Sequence, residues 1–369
     1  MAQPRTGVPQ PDAFAHRNPA PDAEAVVRDG DVQRIPLPAG VEGNPQALVL
    51  LLAVLDRVLQ QRLEQEDGDG RIEHCRVDGE LYGQAVAESC AADRGVTSFK
   101  AYTDITRAEL RAAVREAHQR GVKVTGHLCS VTYEEAAEIG IDNLEHGFFV
   151  NTELDPDKHP DTCSASGGDY TLEHMLPGSA DADRLIATLI RHHVAITSTL
   201  LGTAASVSLE PLRPAVLQAM SPSAREAYFY GRNRPKSTRN VALLLRREMD
   251  LERAFVAAGG LLLAGADPVG NGGVIPGFGD QREIELLVEA GFTPVQAIRI
   301  ATLNGAIFLG RQDQIGSIAV GKRADLVVMR GDPATRIADI ENVEIVFKDG
   351  VGYDTAKLLE SVQGHYGEY

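Results

Sequence analysis

The chain has 369 residues, 43% of them hydrophobic, enough to bury the core of one large domain or two smaller ones. With 36 Lys and Arg against 52 Asp and Glu, its formal net charge is −16, which excludes a basic stripe able to neutralise nucleic-acid phosphates. Cys75, Cys90, Cys129 and Cys163 show no CxxC spacing, so neither a zinc knuckle nor a disulfide framework is expected.

The opening stretch, "MAQPRTGVPQPDAFAHRNPAPDAE", is rich in Pro and Ala and lacks the apolar core of a signal peptide. "EAVVRDGDVQRIPL" reads as a hairpin turning at Asp29-Gly30, either part of a small sheet or free on the surface. "ALVLLLAVL", Ala47 to Leu55, is too short to span a bilayer and reads as the buried half of a helix running to about Glu66. The expected compartment is the cytoplasm, with no membrane partner.

From Thr97 the chain alternates. "TSFKAY" reads as a short buried strand, followed by a helix with Thr106 as N-cap, Glu109 completing a capping box and Gly121 as stop. "KVTGHL" is the next strand, then a short helix boxed by Thr132 and Glu135 and ended by Gly140, then the strand "NLEHGFF". Asn151 to Ala180 reads as a loop or lid, and "DADRLIATLIRHH" as a helix leading to the strand "VAITSTL". A long helical stretch precedes "LLLAGAD", and a final helix starts at Thr293, Pro294 and Gln296. Strands alternating with capped helices predict a parallel α/β sheet.

Lys100, His127, His146 and Asp267 each fall at or near the C-terminal end of a predicted strand. In a parallel sheet those ends share one face, and in a closed barrel that face carries the active site. Each residue alone has a structural reading: a satisfied histidine, or a carboxylate capping a turn. Four on a run of strands would each have to be buried and paired independently, so convergence on one site is the stronger reading. Imidazoles and oxygen anions suit zinc or a similar divalent ion, and a nearby aspartate can take a proton from an activated water. Lysine is the odd member, because an ammonium cannot ligate.

"TSFKAY", "VTGHL", "NLEHGF", "LLLAGAD" and "PVQAIRIATLNGAIFLGRQDQIGSIAVGKRADLVVMRGDP" together resemble the metal-dependent amidohydrolase superfamily, in particular its imidazolonepropionase-like and prolidase-like members. The resemblance runs from about Thr97 to Tyr353. It implies a TIM-type (β/α) barrel with a small β-sandwich built from the chain ends. It also implies a Lys100 carboxylated by carbon dioxide as an anionic metal ligand, with His127 and His146 as further ligands. Asp267 is then the catalytic acid/base and also a ligand, and one or two Zn2+ or similar ions are the cofactor. The implied reaction is hydrolysis of an amide or peptide-like C–N bond by a metal-activated water, on a small-molecule substrate, with a homo-oligomer as the protein assembly considered. The organisation expected is a divergent N-terminal segment (1–96), the hydrolase barrel (97–310) and a C-terminal sandwich portion (311–369).

One departure stands out. Family members end their first barrel strand in a His-X-His pair, and this sequence contains none; upstream of Thr97 only His16 and His74 are present. Residues 1–96 are also short for three βα units, which need roughly 90–100 residues by themselves. The alternatives are therefore a catalytically impaired or truncated amidohydrolase-like protein, or a cyclic-imide hydrolase or deaminase on the same scaffold. Specificity is expected from the Asn151–Ala180 insert and from loops in Gly202–Arg234, with Tyr102, Tyr228 and Tyr230 able to reach the pocket. His118, His192 and His193 read as helix-end residues, and His159 and His174 as insert residues.

Overall fold

The computed structural model describes residues 96–207, 214–232, 240–267, 274–275 and 277–366. The N-terminal hairpin, the Ala47–Glu66 helix, His16 and His74 lie outside the described residues. Internal contacts divide the chain into Met1–His74 and Cys75–Tyr369, and every described residue belongs to the second unit.

Five short strands build the centre: β1 (Ser98–Ala101), β2 (Lys123–Gly126), β3 (Asn143–Glu145), β4 (Ala195–Ser198) and β5 (Leu262–Ala264). They pair in the order β1-β2-β3-β4-β5, every pair parallel. Sequential parallel neighbours joined by helical crossovers form the wall of a TIM-type (β/α) barrel. The register continues beyond the strands: His127 N–H donates to Ala101 O, Gly147 N–H to Thr197 O and Gly265 N–H to Ser198 O. These bonds carry the residues after each strand onto the same face.

The crossover helices start where capping chemistry places them. Thr106 with Glu109, Thr132 with Glu135 and Thr293 with Gln296 each form a reciprocal capping box, opening helices Arg107–Gln119, Tyr133–Ile139 and Pro294–Arg299. Gly140 closes the second in a left-handed conformation (φ 102°) that an L side chain would resist. Helix Ala180–Arg191 ends at His192 and His193, both exposed, as expected of helix-end residues. Helices Val241–Ala257 and Phe278–Glu289 flank β5 in the chain and contribute Leu251, Phe255, Leu286 and Leu287 to the core with Leu144, Phe148 and Ile196.

The sequence reading departs from the structure in several places. Leu200–Val207 and Pro214–Ala219 are helical where loops are expected, whereas Pro222–Arg232 matches the helix read at "AREAYFYGRN"; Tyr228 is buried with Val216, Met220 and Ile275. The Asn151–Ala180 insert is mostly irregular, with one short helix, Asp169–His174. Cys129 and Cys163 form a disulfide (Cα–Cα 4.8 Å), contrary to the expectation of no crosslink. Their 34-residue separation carries no spacing signature, and only the folding of the insert back onto the β2 loop brings them together. Lys100 is exposed rather than buried, because β1 is the edge strand of the described sheet. No helix among the described residues is long and apolar enough to cross a membrane.

A second, antiparallel sheet joins β6 (Leu326–Met329), β7 (Val343–Lys348) and β8 (Val351–Asp354). Its hairpin turns at Asp349 and Gly350, both at positive φ (50° and 82°), the geometry a two-residue hairpin loop demands.

Tyr133 is fully buried, and its hydroxyl donates to Gly147 O at 2.8 Å in the turn after β3. Tyr133→Phe should cost about 1–3 kcal/mol, because the carbonyl loses its donor where water cannot replace it. Urea unfolding with an unchanged slope and a lower midpoint would show this; an unchanged midpoint would mean that the bond contributes nothing.

Candidate active site at the strand ends

All five strand ends present polar groups to this face. The His127 and His146 rings meet edge-to-face with centroids 4.5 Å apart, and Tyr102 lies 5.0 Å from His127. Lys100 Nζ sits 5.8 Å from the centre of the Tyr102 ring, within reach of a cation–π attraction. His146 Nδ1 is 3.0 Å from Thr199 Oγ1 and 3.8 Å from Asp267 Oδ2. The residues expected from the sequence are thus brought together, with Tyr102 beside them. His118 is occupied by Asp142 at 2.8 Å and His174 by the Tyr170 carbonyl at 2.7 Å, both structural contacts.

Electrostatics keep both imidazoles neutral. Burial, then the charge of Lys100, lowers the His127 pKa, with Asp267 opposing. Burial, then His127 and Lys100, pulls His146 down to about 4, again against Asp267. Neutral imidazole is the form that offers a lone pair. His127 Nδ1 is buried with no hydrogen-bond partner, an orphan that a coordinated cation would satisfy. Asp267 is half-exposed (49%), whereas His146 is nearly enclosed (13%). No group of three or more His, Cys, Asp or Glu among the described residues converges on metal-holding geometry.

Sequence reasoning passed over a set of residues directly behind this site. Glu248 accepts from Phe148 N–H at 2.7 Å, and Ser198 Oγ lies 3.0 Å from a Glu252 oxygen and 2.9 Å from a Glu283 oxygen, its single hydrogen going to one of them. Glu283 also accepts from Leu200 N–H and Leu201 N–H, at 3.0 and 2.8 Å. All three acids are essentially without solvent exposure. Glu248 Oε2 and Glu252 Oε1 are both buried with no hydrogen-bond partner, so a proton on one of the two carboxyls is needed to pair them. Burial pushes Glu248 up to about 8 and Glu283 to about 7, and raises Glu252 well above the ordinary carboxyl range. A signal existed: Glu248 and Glu252 fall on the same helix face as Leu244, Leu251 and Phe255, where apolar residues belong.

Residues 83–351 match the sequence profile described as Amidohydrolase family. An imidazolonepropionase of Parabacteroides distasonis is 40% identical over 65 residues, 16% of this chain and 15% of that protein. An adenine deaminase of Klebsiella pneumoniae is 58% identical over 45 residues, 12% of this chain and 7% of that one. Among solved structures, a bottromycin amidohydrolase superposes with TM-score 0.55 at 24% identity, over 79% of this chain and 63% of its own. A Xaa-Pro dipeptidase with bound methionine in its active site superposes with TM-score 0.51 at 22% identity, over 78% and 62%. These likenesses carry the fold. The chain spans less than two thirds of these structures and a small fraction of the curated relatives.

The buried acids give stability a pH dependence with a definite sign. Their folded pKa values are raised, so the stability tied to their protonated forms is complete below the ordinary value of 4.5 and is lost as pH rises towards about 8. The two histidines act oppositely, and only below 6.5. The melting temperature should therefore fall between pH 6.5 and about 8 and level off above. Glu248→Gln, neutral at every pH, should flatten that fall in thermal melts; an equal slope in the variant would remove Glu248 from the account.

Proposed function

Because the chain belongs to the amidohydrolase family, we propose that its described residues carry half of a hydrolytic centre for amide or peptide-like C–N bonds, and that the chain by itself is catalytically impaired. The observation that carries this is the meeting of His127, His146 and Asp267 at one end of the sheet, in a sequence without a His-X-His pair.

His127, His146 and Asp267 offer donors of the kind one divalent ion takes, though they do not converge on a metal-holding group among the described residues. The orphaned His127 Nδ1, two neutral imidazoles and a carboxylate form a nitrogen–oxygen donor set suited to Zn2+. When bound, such an ion supplies Lewis acidity, polarising the scissile carbonyl and acidifying a water. His127 and His146 would each hold it through a ring nitrogen, and Lys100, carboxylated by carbon dioxide, would add an anionic oxygen. That modification would also reverse the sign of the Lys100 charge that now lowers both imidazoles. Asp267 accepts the proton from the attacking water at its carboxylate and returns it to the leaving nitrogen. Tyr102, 60% exposed beside His127, offers an aromatic face to a small-molecule substrate.

Half a ligand set holds a cation weakly, and that is why impairment is the reading preferred. The competing reading is a competent hydrolase, favoured by the buried, unpartnered His127 Nδ1. Metal analysis after zinc loading separates the two. At most one ion per chain, removed by dialysis and absent in His127→Ala, with near-background turnover on dipeptides, N-acyl amino acids and cyclic imides, fits the half centre. Two tightly held ions with ordinary turnover overturn it.

Two variants test the roles within the site. Lys100→Ala should abolish zinc uptake, and added short carboxylic acids should restore part of it; full uptake without them would exclude the carbamate. Where residual turnover is measurable, Asp267→Asn should lower it by roughly two to four orders of magnitude at unchanged melting temperature. A lower melting temperature with unchanged turnover per folded molecule would make Asp267 structural.

A further inference from the structure

We propose that Glu248, Glu252 and Glu283 are positioning residues of the site, fixing the orientation of His146 by clamping the backbone on both sides of its partner Thr199. This rests on reading His146 as part of the functional centre.

Thr199 is bracketed. Ser198, immediately before it, holds its hydroxyl within hydrogen-bond distance of both Glu252 and Glu283, and the two residues after it, Leu200 and Leu201, donate their N–H groups to Glu283. Thr199 has little freedom left, and its Oγ1 meets His146 Nδ1 at 3.0 Å. His146 is held from its own side as well. It adopts φ 64°, a left-handed conformation that a non-glycine residue keeps only when its surroundings over-determine it. Those surroundings are Glu248, which accepts the N–H of Phe148, and Tyr133, which donates to the carbonyl of Gly147. Gly147, also at positive φ (60°), must lack a side chain, because a Cβ there would collide with the Glu248 carboxylate. Both halves of the His146–Thr199 pair are thus tied to carboxyl groups on helices Val241–Ala257 and Phe278–Glu289. A hydroxyl can donate to or accept from a ring nitrogen, so Thr199 by itself selects no tautomer; by holding Nδ1 3.8 Å from the Asp267 carboxylate, the clamp favours the tautomer with its proton on Nδ1.

Nitrogen-15 NMR of the histidine rings in the metal-free protein tests this directly. The parent His146 should show one tautomer. Glu283→Gln keeps the shape of the side chain but has one oxygen for three donors, and should shift the His146 nitrogens towards the average of two tautomers. Thr199→Val should cause the same shift, and combining the two should add nothing. Glu248→Ala should also loosen the ring, with Glu248→Gln restoring it through the retained acceptor. If Glu248→Ala does not fold, the near-isosteric Glu283→Gln decides. His146 spectra unchanged in Glu283→Gln overturn the proposal. Zinc uptake is read separately on the same samples. A tautomer shift in protein that never binds zinc upholds the clamp and removes the metal reading, whereas zinc binding without any shift does the reverse.

Discussion

A carboxyl group with no access to water must find donors within the protein, and three such groups lie together behind the strand ends. Part of their demand is met by the backbone just after β3 and β4 and by the Ser198 hydroxyl, while Glu248 Oε2 and Glu252 Oε1 have no partner. Much of the site follows from that. The turn after β3 takes a left-handed step at His146 and again at Gly147, and the residue after it gives its N–H to Glu248. Burial raises the pKa of both Glu248 and Glu252, which favours a proton on the pair over two adjacent full charges. Packing around it, from Phe148 and Phe255 with ring centroids 6.3 Å apart, keeps water out.

In front of this clamp the polarity changes. His127 and His146 are half to mostly enclosed and neutral, while Lys100 and Asp267 lie towards solvent on either side of them. The two charged groups pull the imidazoles in opposite directions, and burial settles the outcome in favour of the neutral form. In the proposed reading, the pair of ring nitrogens and the accessible carboxylate divide the tasks of holding and of proton transfer. The parallel sheet makes the separation possible, because each strand delivers its end residue to the same face from a different direction.

The insert between β3 and the following helix is anchored at several points. Asp155 accepts from Ser164, Ser166, Thr171 and the Gly168 N–H, Arg107 binds Asp161, and the Cys129–Cys163 disulfide ties the insert to the loop two residues beyond His127. Thr152 adds a hydrogen bond to the Cys129 carbonyl. A segment secured this way forms a fixed wall beside the site, so the shape it presents is largely set before any substrate arrives.

By itself, the sequence determined what depends on near neighbours. The three capping boxes, the glycine stop at Gly140, the alternation of strands with helices and the polar residues at strand ends are all legible, because each rests on contacts within a few residues or on the two-state choice between helix and strand periodicity. From that alternation the parallel sheet follows, and with it the convergence of His127, His146 and Asp267. Tertiary structure alone decided the Cys129–Cys163 crosslink, the exposure of Lys100 on the edge strand of the described sheet, the helices Leu200–Val207 and Pro214–Ala219 and the burial of the three glutamates. Glu248 and Phe148 stand 100 residues apart, and Glu283 and Ser198 stand 85 apart. An acidic side chain on a helix is by default a solvated one, and only the strand-end donors that face it in the folded chain make burial the lower-energy choice.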